Sequence, residues 1–449
     1  MAPIPQAPRA VALLPLLLFL LIFLGSGIYY TLQGTEFAFY QIKAPVAILP
    51  GIILAMLLTQ RSYRESLTTF IDGIGDRNII TMALVFLLAG AFSSVAKAIG
   101  GVDATVNLGL SILPPSMVLP GLFVIAVFIS TAMGTSMGTI GALIPIALGF
   151  AEATGLSIPL AAGAVIGGAM AGDNLSIISD TTIAATRTQG VAMRDKFKLN
   201  LMIALPAMLL TLVVLFALGD SSNAAPAGDY NAWLVLPYLV VLALALSGLD
   251  VMIVLMAGIV LSGITGLLIK PDYALATYGN DIYQGFAGML EIMVLSMLIG
   301  GLSAIMKQEG GLDWLRLRIQ ELTSRTSKPG RRSGETGIAG LVGLTNLFVA
   351  NNTVAIIISG SVAKDLAEHY AVDPRRSASL LDIFSCVVQG LIPYGAQILL
   401  AGSLAALSPL ALISQVHYCW LLGLMAVLAI VFGFPRIKPS APAPEQEAL

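Results

Sequence analysis

Residues 87–103 read LLAGAFSSVAKAIGGVD, and residues 297–313 read MLIGGLSAIMKQEGGLD. The two stretches align without a gap at an offset of 210 and share seven of seventeen residues. Gly90 falls on Gly300, Ser93 on Ser303, Lys97 on Lys307 and Asp103 on Asp313. Past a longer loop at 314–336 the offset becomes 216. There Ala147 meets Ala363, and Ala151-Glu152 meets Ala367-Glu368. Likeness at a fixed spacing marks a duplicated architecture. Chance similarity of two Gly/Ala-rich helices is the alternative, and the gapless Lys-x2-Gly-Gly-x-Asp ending argues against it.

The residues around these copies are those of a membrane protein. Of 449 residues, 57% are hydrophobic and 11% charged, against roughly 25% charged in soluble domains. A net charge of −2 offers no basic field for nucleic acid. Cys386, Cys419, His369 and His417 are too few for a Cys-rich or His-based metal centre. No phosphate loop or zinc-protease motif occurs, so the chain has no ATP engine. Paired catalytic groups at membrane depth are also missing, so a transporter is expected rather than an enzyme, with no cofactor.

Apolar runs of about 20 residues, long enough to cross the hydrocarbon, lie near 11–31, 42–59, 78–98, 199–219, 230–248, 251–269, 284–306 and 416–434. The first, after Arg9, ends in Gly25-Ser26-Gly27 and has some signal-peptide character, but span parity favours keeping it. Two longer zones, 116–190 and 337–404, are interrupted by polar clusters. Cytoplasmic loops concentrate Lys and Arg. Loop 60–77 has Arg61, Arg64 and Arg77. Segment 187–198 has Arg187, Arg194, Lys196 and Lys198. Loop 307–335 has Lys307, Arg316, Arg318, Arg325, Lys328, Arg331 and Arg332, and the tail begins with Arg436 and Lys438. A cytoplasmic N-terminus puts all of them inside, provided that two segments enter and return.

The expected fold class is therefore an all-α polytopic membrane protein built from two inverted five-span repeats. Residues 1–219 hold spans 1–5, with a re-entrant hairpin at about 116–153 and a broken transmembrane helix at about 157–190. Residues 230–435 hold spans 6–10, with a hairpin at about 337–367 and a broken helix at about 377–404. Residues 436–449 form a cytoplasmic tail. An odd number of spans per copy inverts the second, the build of many secondary transporters, whose sites lie where broken helices meet.

Irregular backbone cannot face lipid, because each bare amide or carbonyl costs several kcal/mol. Four polar clusters must then be buried or line a cavity: 130–139, 172–182, 350–353 and 389–397. The internal alignment sets Thr135-Ser136 on Asn351-Asn352 as hairpin tips, and Asp173-Asn174 on Gln389-Gly390 as helix breaks. Freed carbonyls and side-chain oxygens suit a hard cation such as Na+, and helix N-termini suit an anion. An ionisable group at membrane depth is expensive and points to function, which singles out Asp173. One carboxylate that holds Na+ or H+, never both, is the least machinery that cation/proton exchange needs. Asp173 and Asn174 are the candidate Na+ ligands. Ser176, Thr135, Ser136, Asn351, Asn352 and Gln389 supply or position oxygens, and Asp180 is a second titrating candidate.

Several of these residues have a structural alternative. Asp173 and Asn174 could cap a half-helix, and Asp180 could cap Thr181–Thr186. Thr135 and Ser136 could bond back to their own helix. Lys97, Asp103, Lys307 and Asp313 are expected as anchors or caps. Glu152 and Glu368 are expected in solvent, and His369 and His417 at the interface.

At Gly172-Asp173-Asn174-Leu175-Ser176…Ser179-Asp180-Thr181-Thr182 the sequence resembles the NhaC-type Na+/H+ antiporter family of the wider ion transporter superfamily. That family reads Gly-Asp-Asn-x-Ser-Pro-x-Ser-Asp-Thr-Thr there. Gly134-Thr135-Ser136 and Ile392-Pro393-Tyr394 add to the likeness, which covers residues 40–435. Ile177 stands where the family has proline, while the second copy keeps Pro393. The resemblance implies secondary active transport, with Na+ leaving against entering H+, and the loop charges put both termini on the cytoplasmic side of a bacterial inner membrane. It also implies an elevator motion of the hairpins and broken helices against a scaffold that forms a homodimer. Exchangers of organic acids occur in the same family, so an ion-coupled exchanger or symporter of small organic or amino acids is the alternative. A passive channel is a further one.

Overall fold

The structure is a computed structural model that describes residues 8–35, 38–112, 114–219, 228–324 and 330–435. Asp220, Arg325, Lys328 and the tail from Arg436 lie outside the described residues. The described residues form helices joined by turns, with no strand among them. Among the described residues, eight helices are long and apolar enough to cross a membrane. They include Ala10–Tyr30, Arg77–Ala98, Met193–Leu218, Val251–Ile269 and Leu275–Gln308. Every apolar run read from the sequence is helical. The runs near 42–59, 230–248 and 416–434 form shorter helices, Ala44–Leu58, Ala232–Leu246 and His417–Phe432.

Both interrupted zones fold as helix–turn–helix followed by a broken helix. In the first, Val118–Met133 turns at Gly134 and Thr135 into Ser136–Thr154. Ile158–Leu175 then stops, and Asp180–Gln189 resumes. In the second, Arg331–Val349 turns at Ala350 and Asn351 into Asn352–His369. Pro374–Gln389 stops, and Ala396–Ala405 resumes. Elements in the two zones start 216 residues apart at Ser136 and Asn352, Ile158 and Pro374, and Asp180 and Ala396. Left-handed turns recur at the same spacing. Gly134, Gly155 and Gly190 have φ of 69°, 72° and 68°, and Ala350, Ala371 and Ala406 have φ of 54°, 52° and 53°. The backbone keeps the turn where the second zone has alanine in place of glycine.

One helix is longer than its sequence pattern suggests. Leu275–Gln308 runs 34 residues where the apolar run covers only 284–306. Its counterpart at offset 210 is split into Tyr63–Ile74 and Arg77–Ala98. The Asp76 side chain caps the second piece by accepting from the Asn78 N–H at 2.9 Å. Phe286 stands at the matching position and offers no cap, so the helix continues. The two counterparts also touch. A Cβ on Gly90 would lie 2.4 Å from the Gly285 carbonyl, and one on Gly285 would lie 2.5 Å from that of Gly90.

Small residues let the first hairpin lie against the first broken helix. Gly168 and Gly172, four apart on one face, approach the backbone of Phe123 and of Val127 and Thr131, the small-xxx-small packing used in membranes. A Cβ on Gly172 would sit 2.5 Å from the Val127 carbonyl oxygen. Gly172→Val therefore forces the arm away. The expected cost is about 1–3 kcal/mol, read as a lower melting temperature in detergent, with loss of transport because Ser130 and Thr131 move with the arm. Unchanged melting and transport would show that this contact is not needed.

Packing divides into two regions. A large apolar core runs through most of the helices. A smaller one joins Asp180–Gln189, the second hairpin and the first turns of Pro374–Gln389. Polar ties reinforce the smaller core: Gln189 Nε2 donates to the Gly360 carbonyl at 2.8 Å, and Ser377 Oγ donates to Gln189 Oε1 at 2.8 Å. Arg376, fully buried, pairs with buried Glu335 at 3.1 Å.

Candidate functional site

The first helix break forms without a proline. Leu175 is the last helical residue, and Ser176–Ser179 are irregular. Side chains take up the backbone groups this frees, as buried backbone requires. Ser179 Oγ donates to the Asp173 carbonyl at 3.1 Å, and Thr182 Oγ1 to the Ser176 carbonyl at 2.6 Å. Lys196 Nζ donates to the Asn174 carbonyl at 2.8 Å. The hairpin tip lies against the break: a Cβ on Gly134 would meet Ile178 and Ser179, and Ser176 Oγ donates to the Thr131 carbonyl at 2.9 Å. At the second tip, Asn351 Oδ1 accepts the Val354 N–H at 3.0 Å and caps Asn352–His369. Gln389 Nε2 donates to the Ala350 carbonyl at 3.2 Å, Ser303 Oγ to that of Phe348 at 3.2 Å, and the Tyr394 hydroxyl to that of Leu347.

A single run of hydrogen bonds links all four interruptions. Ser136 Oγ donates to the Asp173 carboxylate at 3.0 Å. Gln397 Nε2 donates to Ser136 Oγ at 3.0 Å, and Gln389 Nε2 donates to Gln397 Oε1 at 2.8 Å. Gln389 also reaches the second tip through the Ala350 carbonyl. Asp173 is 7% exposed and lies at the N-terminal end of helix Ser136–Thr154, where a negative charge is favoured. Among the described residues no Lys or Arg forms an ion pair with it.

These groups face a cavity of about 630 Å³ lined by Thr135, Ser136, Asp173, Asp180, Asn351, Asn352, Gln389 and Gln397. Arg77, Arg187 and Asp250, all exposed, also line it. A second cavity, of about 600 Å³, runs between the second hairpin and helices Tyr63–Ile74 and Leu275–Gln308. Asn351 lines both cavities, so the second tip separates them.

Seven of the nine residues singled out from the sequence thus share one cavity; Asn174 and Ser176 do not line it. Asn174 turns its amide to Asp382 Oδ2 at 3.0 Å, while Asp173 turns to Ser136, so the two proposed Na+ ligands face different partners. Asp180 is exposed. It is not the cap of its helix, because Ser179 Oγ accepts the Thr182 N–H there.

The largest departure is Lys196, which the sequence places among loop cations. It is fully buried and pairs with Asp382, 1% exposed, at 2.6 Å. Its third bond runs to Thr182 Oγ1 at 2.6 Å. Asn200 Nδ2 joins Asp382 Oδ2 at 2.7 Å. A signal was present in the sequence. Lys196, Asn200, Ile203, Ala207 and Thr211 recur at helical spacing and are all buried, so the polar pair sits on the inward stripe. Asp382 stands between Leu381 and Ile383, an acid in an apolar run like Asp173.

The sequence model of the Na+/H+ antiporter family matches residues 6–219 and 228–434. The malate-2H+/Na+-lactate antiporter of Bacillus subtilis is 24% identical over 457 aligned positions, covering 94% of this chain and 95% of that protein. The Na+/H+ antiporter NhaC of the same organism is 26% identical over 397, covering 82% and 86%. Among solved structures, the Alcanivorax borkumensis YdaH transporter aligns with a TM-score of 0.45 at 14% identity, covering 95% of this chain and 99% of that one.

Proposed function

Because the chain belongs to the Na+/H+ antiporter family, and so is an integral membrane transporter, we propose that it moves cytoplasmic Na+ out in exchange for external H+ by alternating access. The observation that carries this reading is Asp173: a buried carboxylate without an ion-pair partner among the described residues, facing an open cavity and held by the neutral donor Ser136. Leaving such a charge bare at low dielectric costs several kcal/mol. A sodium ion or a proton removes that cost, and one bound ion excludes the other. Oxygens of Ser136, Thr135, Asn351 and Gln389 complete or orient the site, Asp180 relays protons near the mouth, and no cofactor takes part.

In the same reading, residues 1–219 and 230–435 are inverted copies, each with one re-entrant hairpin. Both termini and the tail are cytoplasmic in a bacterial inner membrane. The recurrence of turns at 216 residues supports the copies. The hairpins and broken helices travel as a block against a scaffold containing Arg77–Ala98, Val251–Ile269 and Leu275–Gln308, which pairs as a homodimer. Open space on both sides of the second tip supports such a block.

A second reading has its own support. The cavity far exceeds the roughly 30 Å³ a water occupies, and Arg77 and Arg187 help to line it. Those features suit a small carboxylate coupled to the same ions, and one relative is named for malate and lactate. Proteoliposomes separate the readings. An inward Na+ gradient is expected to drive proton efflux with no organic acid present. A strict need for malate, lactate or an amino acid would replace the first reading with the second.

A further inference from the structure

Behind Asp173 lies a group of oxygens that no donor among the described residues reaches. Asp382 Oδ2 accepts from Lys196 Nζ, Asn174 Nδ2 and Asn200 Nδ2. The other ends of these groups, Asp382 Oδ1, Asn174 Oδ1 and Asn200 Oδ1, are buried without a partner among the described residues. Asp382 Oδ1 shares its carboxyl with Oδ2, and each amide oxygen shares its group with a nitrogen bonded to Oδ2, so the three lie around that one atom. None of the three residues lines the cavity, and each is 0–1% exposed.

We infer that Asp382, Asn174 and Asn200 bound a second, occluded position for a monovalent cation, entered from Asp173. Three considerations fix the chemistry. A buried oxygen acceptor without a donor costs about 1–3 kcal/mol, so three together call for an occupant. A water molecule has two hydrogens and would leave one oxygen bare, whereas a cation binds all three. Oxygen-only ligands select a hard cation. Charge then sets its valence. Asp173 and Asp382 are two carboxylates and Lys196 is one ammonium, so the ionised cluster carries one net negative charge. One monovalent ion neutralises it, while a divalent ion leaves a buried positive charge. Lys196 does not block the position. Its three N–H bonds go to Asp382 Oδ2, the Asn174 carbonyl and Thr182 Oγ1, which keeps it on the Oδ2 side. The count also admits one cation at a time, either at Asp173 or inside.

The inference rests on the antiporter reading for the identity of the ion. Its test uses the purified full chain, with ²²Na+ binding at equilibrium and Tl+ located by anomalous scattering in crystals. Tl+ is expected beside Asp382. Asn200→Leu, which keeps the volume and removes both the oxygen and the amide donor to Asp382 Oδ2, is expected to weaken ²²Na+ binding roughly tenfold or more with one ion still bound per chain at saturation. Should that variant fail to fold, the Tl+ position in the unmodified chain decides alone. Tl+ confined to the cavity at Asp173, or unchanged Na+ affinity in folded Asn200→Leu, overturns the inner position. Sodium-driven proton flux in the unmodified chain would then still stand. If the unmodified chain neither binds Na+ nor moves protons with it, the antiporter reading fails and the inner position fails with it.

Discussion

In everted membrane vesicles, Asp173→Asn is expected to show no Na+-driven proton movement, a fall of at least about a hundredfold, while the protein stays folded. Asparagine keeps the size of the side chain and can still accept from Ser136 Oγ, so the hydrogen-bond run to Gln397 and Gln389 survives. What disappears is the charge. It attracts Na+ from the cavity, and its protonated form carries H+ on the return. A loss of about 3 kcal/mol in cation binding corresponds to roughly a hundredfold, and removal of proton binding closes the other half of the cycle. Stability is expected to hold or rise, because a bare buried carboxylate is replaced by a neutral group. Fluorescence quenching reports the flux, and gel filtration with thermal melting reports the fold. Exchange near the normal rate in a folded variant would remove Asp173 from the mechanism.

The largest effect on stability is expected at the buried ion pair. Asp382→Ala leaves the Lys196 ammonium without its carboxylate and strips the Asn174 and Asn200 amides of their shared acceptor. Removing one partner of a buried pair costs about 3–5 kcal/mol. The expected result is a sharply lower melting temperature and poor recovery of purified protein. Replacing both partners tells strain from charge. Lys196→Met with Asp382→Leu fills the same space without charge and is expected to regain most of the lost stability, since apolar isosteres of buried pairs are often neutral or better. Melting of both single variants and the double variant checks this. A double variant no more stable than Asp382→Ala would mean that the hydrogen bonds, not the unpaired charge, hold the region together.

Much of the architecture is legible in the residues. The match between 87–103 and 297–313 carries into structure, since Gly100 and Gly310 both turn with positive φ, 85° and 78°. Polar residues in apolar zones mark the turns and breaks, because only there can backbone leave helical geometry at depth. Asp173 is legible for the same reason. Lys196 is not, because counting cations by loop assigns every Lys near a helix end to water, and only its phase relative to Asn200 shows that it points inward. Asp382 is masked by its neighbours, which read as a plain apolar run. The break at Ser176 is hard to place without a proline, since the hydroxyls and the lysine that stabilise it come from residues up to twenty positions away. The extent of Leu275–Gln308 hangs on a single missing cap.

The three alanines at 350, 371 and 406 carry a last implication. A left-handed conformation costs an L-residue with a side chain about 1–2 kcal/mol, and the corresponding glycines at 134, 155 and 190 escape that penalty. Conformational tension is therefore unevenly distributed along the chain. It gathers in the C-terminal partner, at both ends of its reversing arm and beyond its interrupted helix, so heat, detergent or a protease should loosen that half first and leave the half bearing Asp173 the longer-lived remnant.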